Sequence, residues 1–247
     1  MMLSGLPTQG WASSPKLLGV AAVVTVAFAV LARALRGANP SGALAGGIAC
    51  FLLFAGAGPG AFAALAALFA MTWATTRLGY QRKLALGVAE RKDGRTAWQI
   101  LANLAVAALC SVVYSATGSR VWMVATLAAL AEAATDTVAS EVGQYRGSRA
   151  RMITTWEPVP AGTDGGITIV GSIAGLASGL VIAMIGSVGG MISPAQIWIP
   201  VAAGFAGMLI DSVLGATLQR RGWISNQGVN FVGTLVAAAL AYAIAAV

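Results

Sequence analysis

Two aspartates and a glycine-rich loop supply the residue types that metal-assisted phosphate chemistry needs. Glu132, Asp136 and Ser140 are spaced four apart, as are Asp211, Gly215 and Gln219, so each set lies along one face of a helix. Two carboxylates, completed by phosphate oxygens and water, suit Mg2+. The segment Ile153–Thr168 reads Ile-Thr-Thr-Trp-Glu-Pro-Val-Pro-Ala-Gly-Thr-Asp-Gly-Gly-Ile-Thr. Gly162, Gly165 and Gly166 free the backbone around Thr163 and Asp164 to turn N–H groups toward an anion, and the helix expected to follow adds its positive end. Asp136 and Asp211 are the preferred metal ligands, although either could instead pair with a loop arginine. Glu132, one turn deeper, either supports the metal ligands from behind or is protonated and simply hydrogen-bonded. Glu141 lies about 140° round an ideal helix from Asp136 and joins the site only if that helix frays. Asp164 either binds metal or, the favoured role, stabilises its turn and the helix N-terminus.

These residues must be positioned in a membrane. The chain has 247 residues, 58% apolar and 9% charged, whereas a soluble domain carries about 25% charged residues. Hydropathy gives an all-α, polytopic bundle with helices at about 17–35, 41–57, 60–77, 97–116, 120–140, 166–188, 195–219 and 228–246. We read residues 1–247 as a single integral membrane domain with cytoplasmic loops 78–96 and 141–165. Of the fifteen basic residues all but Lys16 and Arg120 fall on one side of these helices. By the positive-inside rule that side is cytoplasmic and both termini are not. The net charge of +7 is thus explained by topology, with no nucleic-acid partner. The first helix is too long for a signal-peptide core and is followed by arginines, so it is expected to be retained.

Other residues narrow the chemistry. The chain has no histidine, which excludes histidine nucleophiles, histidine proton relays and histidine-bound zinc. It has no GxxxxGK[ST] loop and is not a P-loop enzyme. Cys50 and Cys110 fall inside apolar helices and read as packing residues. Gly171, Gly175 and Gly179 have the spacing of close helix packing. Trp11, Trp122, Trp198 and Trp223 sit near helix ends as interfacial anchors.

The predicted orientation brings five polar stripes to one depth. Helices five and seven run toward the cytoplasm and carry their acids near that end. Helices four, six and eight start there, with Gln99 and Asn103, with Thr168 and Ser172, and with Asn226, Asn230 and Thr234. A polar pocket in the cytoplasmic leaflet accounts for this agreement better than scattered helix–helix hydrogen bonds. Lys92 and Arg95 directly precede Gln99, so they either form part of a solvated charge run or reach phosphates in the pocket. Arg146, Arg149 and Arg151 face a similar choice between lipid headgroups and ligand.

Five motifs resemble the transmembrane protein 19 family, which includes the phytyl-phosphate kinases of chloroplasts and cyanobacteria. They are Asp136-Thr-Val-Ala-Ser-Glu-Val-Gly143, Ile153 through Thr168, Asp211-Ser-Val-Leu-Gly-Ala-Thr-Leu-Gln219, Asn226-Gln-Gly-Val-Asn230 and, more weakly, Gly94-Arg-Thr-Ala-Trp-Gln-Ile-Leu-Ala-Asn103. Thr135, Asp164 and Gln227 depart from residues frequent in that family. The resemblance implies transfer of the γ-phosphoryl group of a nucleoside triphosphate, CTP, to an isoprenyl monophosphate such as phytyl or geranylgeranyl phosphate. It implies a Mg2+ site at Asp136 and Asp211, with Glu132 as a further metal-site residue. Phosphate would be cradled by residues 162–166 beside Ser140, Glu141 and Thr168, and Asn226 and Asn230 would orient one substrate. Lys92, Arg95 or Arg151 would neutralise developing charge, and Gln99, Asn103 and Gln219 have the donors and acceptors for a base. The expected partners are the lipid membrane, the prenyl phosphate and the nucleotide. The expected location is the bacterial inner membrane with the site facing the cytoplasm, and the oligomeric state stays open. Two other readings compete: a CTP-dependent lipid cytidylyltransferase, and a secondary transporter with an intramembrane acidic site. Acids gathered toward one leaflet favour an enzyme at the interface.

Overall fold

The computed structural model describes residues 14–146 and 150–247. Trp11 and Arg149 lie outside the described residues. Eight helices are long and apolar enough to cross a bilayer, which takes about 20 residues each. They are α1 (Pro15–Ala34), α2 (Pro40–Ala57), α3 (Pro59–Arg77), α5 (Ala97–Thr117), α6 (Val121–Arg146), α7 (Ile169–Val188), α8 (Trp198–Leu214, within the span Pro194–Gln219) and α9 (Asn226–Ala245). The chain is thus an integral membrane helical bundle. A short α4 (Tyr80–Ala85) folds within the loop after α3.

Local sequence explains the ends. Proline opens α1, α2 and α3, where its missing N–H costs nothing. Side chains of Asn39, Thr96, Thr168 and Ser225 cap α2, α5, α7 and α9 by accepting from backbone amides. Gly118, left-handed at φ 68°, ends α5.

The bundle is organised around α6, which packs against α3, α5, α7, α8 and α9. Ala125, Ala128, Ala129, Ala131 and Ala134 on α6 are buried, so neighbouring backbones approach closely. Gly175 on α7 shows how closely: a Cβ there would lie 2.6 Å from the Thr135 carbonyl oxygen. The glycines of α7 therefore serve packing, as expected. By contrast α1 leaves Val23, Val26 and Val30 exposed, an apolar face suited to lipid.

The structure corrects several boundaries. Helix α6 continues through Arg146, six residues or about 9 Å beyond the expected end. Its apolar character fades at Asp136, but the helix persists because the later polar residues face the polar loop and cavity. Residues 141–146, expected in the loop before α7, are thus helical, and the described part of that connection runs over 150–168. Gly166 and Ile167, expected to be helical, form strand β2, antiparallel to strand β1 (Arg151–Met152). The last helix starts at Asn226 instead of 228, capped by Ser225. Residues Gly215–Gln219 form a π turn that extends α8, closed by Arg220 N–H donating to the Gly215 carbonyl at 3.4 Å.

Candidate functional site

At the basic end of the bundle a polar cavity of about 390 Å³ is enclosed by the starts of α5, α7 and α9, the last turns of α6 and α8, and the loop 161–168. It brings together most of the residues expected from sequence: Arg95, Gln99, Asn103, Asp136, Ser140, Glu141, residues 162–166, Thr168, Asp211, Gln219, Asn226 and Asn230. Thr137, Gln144, Ser172, Ser212 and Gln227 complete the polar wall.

Helix geometry puts the carboxylates there. Asp136 and Ser140 follow one another along α6, and Gln144 continues the same stripe. In an unbroken α-helix Gln219 would lie about 80° round from Asp211. The π turn takes more residues per turn and swings Gln219 back toward the face of Asp211. Glycine permits the loop to dock beside it. Gly165 has φ +76°, and a Cβ there would lie 2.6 Å from Ala216 backbone atoms. A Cβ on Gly215 would in turn lie 3.0 Å from the Gly165 nitrogen.

The loop offers fewer free amides than its composition suggests. Thr163 N–H donates to the Pro160 carbonyl at 3.2 Å and Gly166 N–H to that of Thr163 at 2.8 Å. The Thr163 hydroxyl is also spent on Pro160. Among the described residues the amides of Gly162, Asp164 and Gly165 keep no partner and remain available to an anion. The Asp164 carboxylate is exposed and makes no hydrogen bond. The turn is held by Thr163, so the expected stabilising role of Asp164 is not seen. The Thr168 hydroxyl caps α7 through Gly171 N–H at 3.0 Å, leaving it on the cavity wall with its acceptor engaged.

Among the described residues neither Asp136 nor Asp211 forms an ion pair with a loop arginine or accepts a hydrogen bond, and the Asp211 Oδ2 atom is buried without a partner. A buried unpartnered carboxylate oxygen is costly unless something completes it. Among the described residues no three acids gather closely enough to hold a metal by themselves. Two carboxylates of this kind would suit Mg2+, which takes one or two carboxylates and fills the rest of its octahedron with phosphate oxygens and water. They do not fit a cage closed by protein alone. Glu132 is fully buried below the cavity and off its wall, with both carboxylate oxygens unpartnered. Among the described residues it has no hydrogen-bond partner, so the reading of a simply hydrogen-bonded acid finds no partner here.

Four further residues behave differently from expectation. Glu141 stays helical, and its carboxylate receives Lys83 Nζ and, at 3.0 Å, the Thr76 hydroxyl. It edges the cavity but is committed to that pair. Gln99 is likewise committed: its Oε1 accepts from Thr96 N–H at 2.8 Å as part of a capping box, and its Nε2 donates to Glu90 at 3.1 Å. It has no free edge for a base. Arg151 is exposed, donates to the Trp156 carbonyl at 2.6 Å and does not line the cavity. Lys92 is also exposed and opens onto a neighbouring apolar cavity instead. Arg95 does reach the polar cavity, 3.7 Å from Glu90. Asn103 donates to the Gln99 carbonyl, whereas Gln219, Asn226 and Asn230 carry free amides.

Sequence reasoning missed Lys83, which is fully buried and donates to the carbonyls of Thr75 and Thr76 at 2.9 and 2.8 Å besides Glu141. It stands in a run of basic residues that read as solvated, and nothing local marks it out. Gln144 was legible: it continues the four-residue stripe from Asp136, hidden only by ending the helix too early.

With this geometry in hand, comparison with known proteins is informative. Residues 23–238 match the family described as integral membrane protein DUF92. The chain is 35% identical over 201 residues to the uncharacterized membrane protein sll0875 of Synechocystis, covering 79% of this chain and 78% of that one. It is 29% identical over 216 residues to the chloroplastic protein VTE6 of Arabidopsis thaliana, covering 82% of this chain and 65% of the relative. It is 29% identical over 220 residues to the uncharacterized membrane protein MJ0933 of Methanocaldococcus jannaschii, covering 89% and 90%. No solved structure matches. In agreement with the resemblance carried by its motifs, the chain belongs to the DUF92 family of integral membrane proteins.

Proposed function

We propose that this protein is a membrane-embedded kinase that transfers the γ-phosphoryl group of CTP or another nucleoside triphosphate to an isoprenyl monophosphate, giving the diphosphate. Its site would lie in the cytoplasmic leaflet of the bacterial inner membrane. The observation that carries this reading is the meeting of Asp136 and Asp211, both without hydrogen-bond partners, with the free amides of Gly162, Asp164 and Gly165 in one cavity. Relationship to the chloroplastic protein VTE6 and the likeness to phytyl-phosphate kinases support the substrate class.

Phosphoryl transfer asks for positioning and charge neutralisation more than for a strong base. The acceptor is a phosphate already ionised near neutral pH, so no proton has to leave it and the absence of histidine is no obstacle. The new bond joins an acceptor phosphate oxygen to the γ-phosphorus, and the bond to the β-phosphate bridging oxygen breaks, releasing CDP. Asp136 and Asp211 would hold Mg2+, which supplies positive charge to the triphosphate. Loop amides at Gly162, Asp164 and Gly165 would bind phosphate oxygens. Arg95, whose terminal guanidinium nitrogens make no hydrogen bond, would bear on the transferring group from the opposite wall. Gln219, Asn226 and Asn230 would read or orient the nucleotide.

The test is a turnover assay on purified protein with γ-labelled CTP, Mg2+ and a panel of prenyl monophosphates. Label appearing in the lipid is expected. Label in pyrophosphate would replace the kinase with a cytidylyltransferase. No turnover across the panel, together with gradient-driven uptake in liposomes, would replace it with a transporter.

A further inference from the structure

A second cavity of about 340 Å³ opens between α1, α2, α3 and α5, and it differs in character from the first. Its body is lined by Phe28, Gly46, Leu65, Leu68, Phe69 and Ile100. From Leu65 to Arg77 it follows α3 for about 18 Å, reaching from the membrane surface past the middle of a hydrocarbon core about 30 Å thick. Its charged lining is Arg36, Arg77, Arg91, Lys92 and Arg95, with Glu90 the one acid among them. Glu90, Arg95, Asn103 and Thr137 belong to both cavities and form their common wall.

The mouth holds a second observation. Arg36 has φ +53°. Its N–H donates to the Arg33 carbonyl and Gly37 N–H to that of Ala32, the pattern of a Schellman helix end. That position strongly favours glycine, and a side chain there strains the backbone. The cation so placed makes no hydrogen bond or ion pair among the described residues, and neither does Lys92. The other arginines lining this cavity are engaged: Arg77 donates to the Trp73 and Leu35 carbonyls, Arg91 pairs with Asp93, and Arg95 lies 3.7 Å from Glu90. Two uncommitted cations above an apolar shaft match an anionic headgroup on a single apolar chain. They do not match a soluble nucleotide, which has no chain to fill the shaft.

We propose that this cavity holds the isoprenyl chain of the acceptor, with Arg36 and Lys92 on its phosphate and Arg95 at the point where that phosphate meets the nucleotide cavity. This rests on the kinase reading for the reaction but not for the binding. The acceptor would enter from the bilayer, the nucleotide from the aqueous side, and the two phosphates would meet across the shared wall.

A photoactivatable prenyl monophosphate with a diazirine at the end of its tail tests this on the intact protein in nanodiscs. Crosslinks, mapped to single residues, are expected on the lining residues Phe28, Gly46, Leu65, Leu68 and Phe69, displaced by unlabelled prenyl monophosphate. Crosslinks that are not displaced, or that fall on outward-facing Leu44 and Ile48, overturn it. Two variants sharpen the result. Gly46→Leu fills the shaft without breaking α2, since a Cβ there meets only Ile100 methyl groups at ordinary distance and leucine is the better helix former. It should abolish displaceable crosslinking at unchanged melting temperature. Arg36→Gly relieves the left-handed strain, so it should hold or raise the melting temperature while weakening the probe on the order of tenfold. Wild-type crosslinking in Gly46→Leu, or wild-type affinity in Arg36→Gly, refutes the assignment. Displaceable crosslinking without CTP turnover would leave the lipid site standing and remove the kinase.

Discussion

Replacing Lys83 by methionine should destabilise the protein strongly although Lys83 touches no expected substrate. All three ammonium protons are used, by the carbonyls of Thr75 and Thr76 at the end of α3 and by the Glu141 carboxylate on α6. The side chain is fully buried. Methionine keeps the volume and removes the charge, leaving Glu141 with the Thr76 hydroxyl as its remaining donor, the Thr76 carbonyl without its Lys83 donor, and the Thr75 carbonyl with Leu78 N–H alone. Removing one partner of a buried ion pair costs about 3–5 kcal/mol, which for a chain of this size lowers the melting temperature by on the order of 10 °C. Thermal unfolding in detergent measures it. The double variant Lys83→Met with Glu141→Gln should recover part of the loss, because the orphaned charge is then gone. A melting temperature within about 2 °C of wild type for Lys83→Met would refute the reasoning. So would a double variant no better than the sum of the singles, since it would mean the two residues do not act as a pair.

Asp136→Asn and Asp211→Asn should each lower turnover on the order of 100-fold or more, with melting temperatures equal to or above wild type because an unpartnered carboxylate has been neutralised; full activity in either variant would remove it from the metal site. Gly165→Ala should cost about 1–2 kcal/mol from its left-handed backbone alone and more from the contact with Ala216, releasing the loop from α8, which limited proteolysis between residues 150 and 168 would report. Gln99→Ala should lower stability by about 1 kcal/mol through the lost capping box and leave the preference for CTP over other nucleotides unchanged, whereas Gln219→Ala should alter that preference; competition assays with unlabelled nucleotides distinguish them.

The stripe from Asp136 to Ser140 and the pair Asn226 and Asn230 were legible because a helix repeats every 3.6 residues and a bilayer fixes depth. A residue's position along a span then gives its height, and spacing gives its face. The same logic would have included Gln144 had the helix been carried to Arg146. It could not separate Arg95 from Lys92, three residues apart in one loop, since the turns after α4 bring Arg95 to the wall shared by both cavities and Lys92 to the apolar one alone. Nor could it foresee that Thr163 and Gly166 spend their amides on the loop itself, because glycine content marks freedom to turn and not the turn taken.

The sequence alone determined that eight helices span a membrane, that their basic ends share a side, and that carboxylates, amides and a glycine loop meet at one depth there. These follow from local composition and helical period. Only the tertiary structure decided which polar groups are free and which are committed. Lys83 with Glu141, Gln99 with Glu90 and Arg151 with Trp156 are consumed; among the described residues Asp136, Asp211 and Arg36 have no hydrogen-bond or ion-pair partner. That distinction depends on which partner comes within about 3 Å. For Lys83 and Glu141 the partners are 58 residues apart in the chain, so their pairing is set by helix packing and leaves no mark in the local pattern of residues.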